Sequence, residues 1–246
     1  MPLREEIERD GNWLFKNRSW LPTLLYPFAV AVMYFNRNSV HEYTTSETWG
    51  VVCFLISFAG LVVRSITIGF APHGTSGRNT EEQVAESLNQ ADIYSTVRHP
   101  LYLGNFLMWL GLFMFIGVWW FVLVCSLVYW LYYERIMFAE EEFLRRKYLS
   151  NYEDWASRTP AFLPRFASWK PSGLPFSFKN VLKREGHGLF AIIVSFALLN
   201  AISYFFVEQR FALDTLWVIA FAAGAVIFLV LRTLRKNTKV LDVAGR

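Results

Sequence analysis

Residues 49–70 read WGVVCFLISFAGLVVRSITIGF, twenty-two residues whose single charge is Arg64. At 1.5 Å per residue a helix of that length extends about 33 Å, enough to cross the roughly 30 Å hydrocarbon core of a bilayer. Further apolar blocks occupy 21–35, 188–207 and 213–231. Residues 101–133 are also apolar, but as one straight helix they would be about 50 Å long, so the chain is expected to turn back within them. Gly117, followed by Trp119 and Trp120, marks the turn, because indole rings favour the headgroup level. The two arms, 101–116 and 119–133, are short for a crossing, and the count of spans is five or six. The predicted fold is all-α: a polytopic transmembrane helical bundle with a core over 1–180 and an additional hairpin over 188–231.

Composition points the same way. The chain has 246 residues, 54% hydrophobic and only 18% charged, which is too apolar for an ordinary soluble domain of this length. The N-terminal 19 residues are polar and charged, with no apolar core or small-residue cleavage site of a secretory signal. Cys53 and Cys125 both fall in apolar segments and read as small buried hydrophobes, neither a disulfide nor a metal site. The cations are distributed unevenly. Arg4, Arg9, Lys16 and Arg18 precede the first block, Arg78 and Arg98 lie between the second and third, ten Lys or Arg fall within 135–184, and Arg232, Arg235, Lys236, Lys239 and Arg246 follow the last. The opposite connections hold Arg37 and Arg210. Under the positive-inside rule both termini and the two long polar stretches, 71–97 and 134–187, face the cytoplasm, as expected of a multi-pass protein of the bacterial inner membrane. No nucleic-acid-binding motif accompanies the positive charge.

The first polar stretch holds His73-Gly-Thr-Ser-Gly-Arg-Asn-Thr80, either an anion cradle of backbone N–H groups or an interhelical linker, followed by a short helix over 81–89 capped near Thr80. The second is expected to continue the return arm as a cytoplasmic amphipathic helix over 134–155. On a wheel of about 100° per residue centred on Leu144, Met137, Tyr148 and Trp155 fall within about 40° and Tyr152 at about 80°. Glu142 points to the wet side, where it pairs with nearby basic residues. Glu140 and Glu141 look toward the apolar stripe, where a carboxylate needs a cation, donors or a proton.

Two more features stand out. Arg64 lies within a span, where it either faces a polar interior or snorkels to the interface. At the mouth of the third block stands Arg98-His99-Pro100-x-Tyr102-x-Gly104. Proline suits the first helical turn because its missing N–H would be unsatisfied there anyway. Gly104 leaves room for another group to approach the backbone.

Arg98-His99-Pro100-x-Tyr102-x-Gly104, a short apolar hairpin, then Glu140-Glu141-x-x-Leu144-x-x-x-Tyr148-x-x-x-Tyr152-x-x-Trp155 with Pro160 and Pro164 after it, resembles the isoprenylcysteine carboxyl methyltransferase and phospholipid methyltransferase superfamily. Gly60-x-x-x-Arg64 and Tyr94 fit the same pattern, and the resemblance covers roughly 51–166. The sequence departs from it twice: where glycine is common, Asp92-Ile93 precedes Tyr94 and Leu149 follows Tyr148. The resemblance implies an S-adenosylmethionine site facing the cytoplasm, formed by His99, Pro100, Tyr102, Gly104, Glu140, Glu141 and Tyr148. Tyr102, Tyr148 or Trp109 would meet the sulfonium and the carboxylates the cofactor's ammonium or ribose hydroxyls. Arg98, Arg64 and Arg145 would hold an anionic acceptor, and Glu141 or His99 would take a proton from an amine. The implied partner is a membrane lipid or lipidated substrate, with an anionic lipid slightly preferred over a phospholipid amine. An NADPH-dependent membrane reductase and a non-enzymatic transporter or sensor are the rival readings. Oligomeric state cannot be read from the sequence.

Overall fold

The computed structural model describes residues 2–72, 83 and 85–243. Among these the architecture is a helical bundle with four helices long and apolar enough to cross a membrane. The loop expected to cradle an anion, 73–80, and the start of the helix expected to follow it lie outside the described residues. Residues 85–89 carry no helix, which corrects that expectation for the part that is described.

The chain opens with α1 (Leu3–Asn17), followed by a 3-10 turn over Leu21–Leu24, α2 (Leu25–Phe35) and the short polar α3 (Arg37–Thr44). The long apolar α4 (Glu47–Phe70) begins behind Ser46, whose hydroxyl accepts from the Trp49 N–H. The hairpin expected over 101–133 is present as α5 (Pro100–Phe115) and α6 (Trp119–Tyr148). Its turn falls on Gly117, at φ +75°, with Tyr43 packed so close that a Cβ has no room. α2 and α5 are apolar but shorter than the four long helices, whereas the return arm expected over 119–133 is part of the 30-residue α6 and is long enough to cross. α7 (Ser150–Ala156), a non-helical strap, α8 (Phe178–Glu208) and α9 (Thr215–Asn237) complete the chain.

The bundle is knitted where side chains are smallest. Along α4 and α5, Gly60 faces Gly104, and Gly111 faces Ser57 and Cys53, at separations that exclude a methyl group. Between membrane helices that have no hydrophobic drive to associate, such small-residue contacts allow close packing and backbone-directed bonds. Ser57 donates to the Met108 carbonyl at 2.8 Å. Cys53 and Cys125 are buried free thiols, as expected.

Two sequence expectations are corrected. The amphipathic helix over 134–155 is not continuous with one phase: it breaks at Leu149, whose φ is +48°, and restarts as α7. The polar N-terminus is a helix packed antiparallel on the second half of α6, with Tyr132 donating to the Leu14 carbonyl, Gly11 against Arg135 and Ala139, and Arg4 paired with Glu142. Beneath α1, Glu142 is buried at 4% exposure and also contacts Arg145 at 3.6 Å. The wheel placed Glu142 in water because a single-helix projection contains no α1.

α8 begins ten residues before the apolar block that announced it, and the extra turns carry Arg184 and Glu185 into the bundle. Lys183 pairs with Asp242 at 2.6 Å, which brings the described C-terminal end beside the start of α8. The cation-rich segments thus gather at one end of the bundle, as the charge asymmetry predicted.

Candidate active site

At that end a cavity of about 380 Å³ is lined by α1, α4, α5, α6, α7 and α8 together with Gln83, Ala85, Ser87, Leu88 and Asn89. Its roof is the start of α5. Pro100 occupies the first turn, as read from sequence, and His99 is the N-cap residue. What holds this corner is the strap after α7: Pro160 and Ala161 carbonyls accept from the Arg98 and His99 N–H groups at 2.9 and 3.2 Å, and Arg165 N–H donates to the Thr96 carbonyl at 2.9 Å. Trp155 Nε1 donates to the Tyr94 carbonyl at 3.1 Å. The prolines and aromatics trailing the second motif therefore fix the backbone of the first.

The two carboxylates expected to face inward do so. Glu141 accepts from Arg98 Nη1 at 3.0 Å and lies 2.8 Å from His99 Nε2. Glu140 accepts from the Tyr102 hydroxyl at 2.7 Å, with His99 Nδ1 at 3.7 Å and Arg18 Nη1 at 3.9 Å. His99 is buried between the two and stacks on Tyr102 at 5.8 Å between ring centroids. Burial and the Glu141 carboxylate push the Tyr152 hydroxyl up, and burial with Glu140 does the same to Tyr94, so both phenols stay protonated at neutral pH.

Arg64 faces the interior and does not snorkel. Its Nε and Nη2 form a bidentate pair with Glu185 at 2.8 and 2.7 Å, and Nη1 donates to Asn105 Oδ1 at 2.6 Å. Arg64, Arg98, His99, Pro100, Tyr102, Glu140 and Glu141 thus share one cavity. The other expected site residues lie elsewhere. Gly104 sits behind the wall, where a Cβ would meet the Arg64 stem at 2.6 Å. Arg145 is on the α1 side with Glu142, and the Tyr148 hydroxyl donates to the Ala85 carbonyl at 2.8 Å. Trp109 packs against Tyr26 and Phe113. The break at Leu149 explains part of this, because it turns Tyr152 and Trp155 toward the cavity while Tyr148 stays on the preceding helix.

Sequence reasoning missed Arg18, Asn105, Tyr133, Arg184 and Glu185, all lining the cavity. The one signal for Glu185 was indirect: an arginine within a span requires a partner. Arg18 and Arg184 had been counted only as topology-setting charge.

Residues 46–151 match the family described as phospholipid methyltransferase. The chain is 29% identical over 126 residues to a protein-S-isoprenylcysteine O-methyltransferase of Schizosaccharomyces pombe, covering 45% of this chain and 53% of that protein. It is 30% identical over 126 residues to the nickel-cobalt-cadmium resistance protein NccN of Alcaligenes xylosoxydans xylosoxydans, covering 50% of this chain and 56% of that protein. The chain therefore spans about half the length of the curated relatives it matches. No solved structure matches. The family match and the methyltransferase relative support the isoprenylcysteine and phospholipid methyltransferase superfamily for residues 46–151, and the apolar helices make the chain an integral membrane protein.

Proposed function

We propose that the chain is an S-adenosylmethionine-dependent methyltransferase acting on a membrane lipid or lipidated acceptor, with an anionic oxygen, phosphate or carboxylate, preferred. The observation that carries this reading is the pair Glu140 and Glu141 held against Arg98, His99 and Tyr102 within one cavity. A volume of about 380 Å³ is within the range of small-molecule sites. Among the described residues, the buried side-chain atoms without a hydrogen-bond partner are Gln83 Oε1, Asn89 Nδ2 and Arg98 Nε, and all three residues line this cavity. Leaving buried donors and acceptors unmet is costly, so the wall is chemically suited to a polar ligand that offers both. The donor set also fits this cofactor: carboxylates for an ammonium and ribose hydroxyls, and the rings of Tyr102, Tyr133, Tyr152 and Trp155 for a sulfonium.

When bound, that cofactor supplies an electrophilic methyl group on sulfur. The protein's task is to align the acceptor oxygen with it and to keep water away. Arg98 offers its Nε to the acceptor while Glu141 holds the other side of the same guanidinium. A phosphate or carboxylate is already deprotonated and needs only this positioning. An amine must lose a proton, and the contact between His99 Nε2 and Glu141 at 2.8 Å favours a second reading, phospholipid amine N-methylation, with that pair as base. In either case the charge asymmetry orients the cavity toward the cytoplasm. Metal resistance belongs to the name of one relative and is said of that protein alone.

The test is methyl transfer from radiolabelled S-adenosylmethionine by purified protein into a membrane lipid extract, with mass spectrometry to find the lipid that gains one methyl group. The expected result is label in the lipid fraction and a loss of about a hundredfold or more in a folded Glu141→Ala variant. Absence of S-adenosylhomocysteine binding by the wild-type protein sinks the proposal.

A further inference from the structure

We propose that Gln83 and Asn89 form a nucleobase subsite that reads the adenine of S-adenosylmethionine, with Gln83 Oε1 accepting from the exocyclic amine and Asn89 Nδ2 donating to a ring nitrogen. This rests on the methyltransferase reading above. It gives the stretch before α5 the part of the cofactor that Glu140, Glu141 and the sulfonium-facing rings leave unrecognised.

Gln83 Oε1 and Asn89 Nδ2 are buried atoms without a hydrogen-bond partner, and both residues line the cavity. A buried amide atom left unmet destabilises the protein alone, and a ligand that meets it removes that penalty. Arg98 Nε, also unmet, is charged and suits an anion. The other two atoms are neutral, one an acceptor and one a donor. An anion would meet Asn89 but be repelled by the Gln83 oxygen, and an ammonium would do the converse. A neutral group that carries a donor beside an acceptor meets both. Adenine is such a group, with its amine flanked by N1 and N7, and Asn and Gln amides are its usual complements.

The surrounding bonds hold both residues in place. Gln83 uses its Nε2 on Asn12 Oδ1 of α1 at 3.1 Å, which leaves its oxygen as the unengaged end of the amide. The Ala85 carbonyl accepts from Lys147 Nζ at 2.6 Å and from the Tyr148 hydroxyl at 2.8 Å, and Gln90 Nε2 donates to the Asn151 carbonyl at 3.3 Å. Asn89 therefore sits on a non-helical stretch anchored at one end to α6 and at the other to α7. Tyr148, expected at the cofactor itself, acts one step removed by holding Ala85. Leu88, Phe143 and Leu144 line the same cavity and offer apolar surface to the flat faces of a purine.

The experiment is titration calorimetry of the purified full chain with S-adenosylhomocysteine and its S-inosyl, 1-deaza and 7-deaza analogues, with adenosine and inosine as a separate arm. The inosyl analogue keeps the ribose but replaces the amine with a carbonyl oxygen, and each deaza analogue removes one ring acceptor. The wild type is expected to bind S-adenosylhomocysteine about tenfold or more tighter than the inosyl analogue, and to lose a similar factor with one of the deaza analogues. Gln83→Leu should remove the first preference and Asn89→Leu the second. Asn89→Leu deletes an unmet donor, so the Tm without ligand should not fall. A lower Tm with both preferences intact marks Asn89 as structural and overturns its role in the subsite. Equal wild-type affinity for the adenosyl and inosyl compounds, or preferences that survive both substitutions, overturns the subsite while S-adenosylhomocysteine binding upholds the methyltransferase reading. A wild type that prefers adenosine to inosine but does not bind S-adenosylhomocysteine refutes that reading and leaves the nucleobase subsite standing. Binding of none of these compounds overturns both.

Discussion

Asp92-Ile93 and Leu149 stand where the sequence departs from the glycines of the pattern it resembles, and Asp92 and Leu149 hold positive φ, a backbone that glycine adopts without strain. Their φ angles are +52° and +48° with ψ near −130° and −125°, a region that penalises a side chain by about 1–3 kcal/mol. Asp92 is compensated, because its carboxylate accepts from the Ser172 N–H at 3.1 Å. Leu149 is 67% exposed and accepts no such bond. Leu149→Gly is therefore expected to raise unfolding stability by about 1 kcal/mol, and Asp92→Gly to give no comparable gain; denaturation in detergent micelles measures both. The Arg64–Glu185 pair behaves in the opposite sense. Glu185→Gln leaves a guanidinium buried without its counter-charge and is expected to cost about 3–5 kcal/mol, whereas replacing both residues by methionine should cost less than that single change. Equal losses in the two variants would refute the pairing as the source of the effect.

At the scale of elements, α1 is held to α6 by ion pairs as well as by the apolar cluster that Phe15 shares with Tyr133, Ile136 and Met137. Glu8 pairs with Arg146, which holds its carboxyl below the usual carboxylate range, and Arg4 and Arg135 pair with Glu142 and Asp10. Because the folded-state value for Glu8 is depressed, its contribution is full above about pH 4.3, the unfolded value, and disappears as the pH falls through the lower, folded value. Hydrogen exchange of α1 amides should therefore accelerate below about pH 4 before the amides of α4 and α5 respond. Simultaneous loss of protection in all three helices would show that α1 is not separately docked. The α4–α5 crossing makes a steric prediction. A methyl on Gly60 would meet the Gly104 carbonyl oxygen and the Met108 nitrogen, so Gly60→Ala is expected to destabilise by about 1–3 kcal/mol, read by the same denaturation.

For the whole molecule, the C-terminal hairpin is the element whose importance changed most. The sequence set it beyond the family core, yet α8 packs on α4, supplies the counter-charge to Arg64 and contributes Arg184 and Glu185 to the cavity. Removal of residues 178–246 should therefore abolish S-adenosylhomocysteine binding as well as lower stability; retention of binding would show the cavity to be complete without the hairpin. The sequence by itself determined the bundle, the turn at Gly117, the gathering of cations at one end and the inward-facing pair Glu140 and Glu141. Each of these is a one-dimensional signal, set by apolar run length, charge order or helical period. Only the tertiary structure decided the fate of Glu142, Arg145, Tyr148 and Gly104, and brought Arg18, Arg184 and Glu185 to the cavity. A helical wheel shows which residues share a face but not which segment covers it: Arg4 of α1 reaches Glu142, Arg64 of α4 meets both Glu185 and Gly104, and the non-helical Ala85 carbonyl takes the Tyr148 hydroxyl.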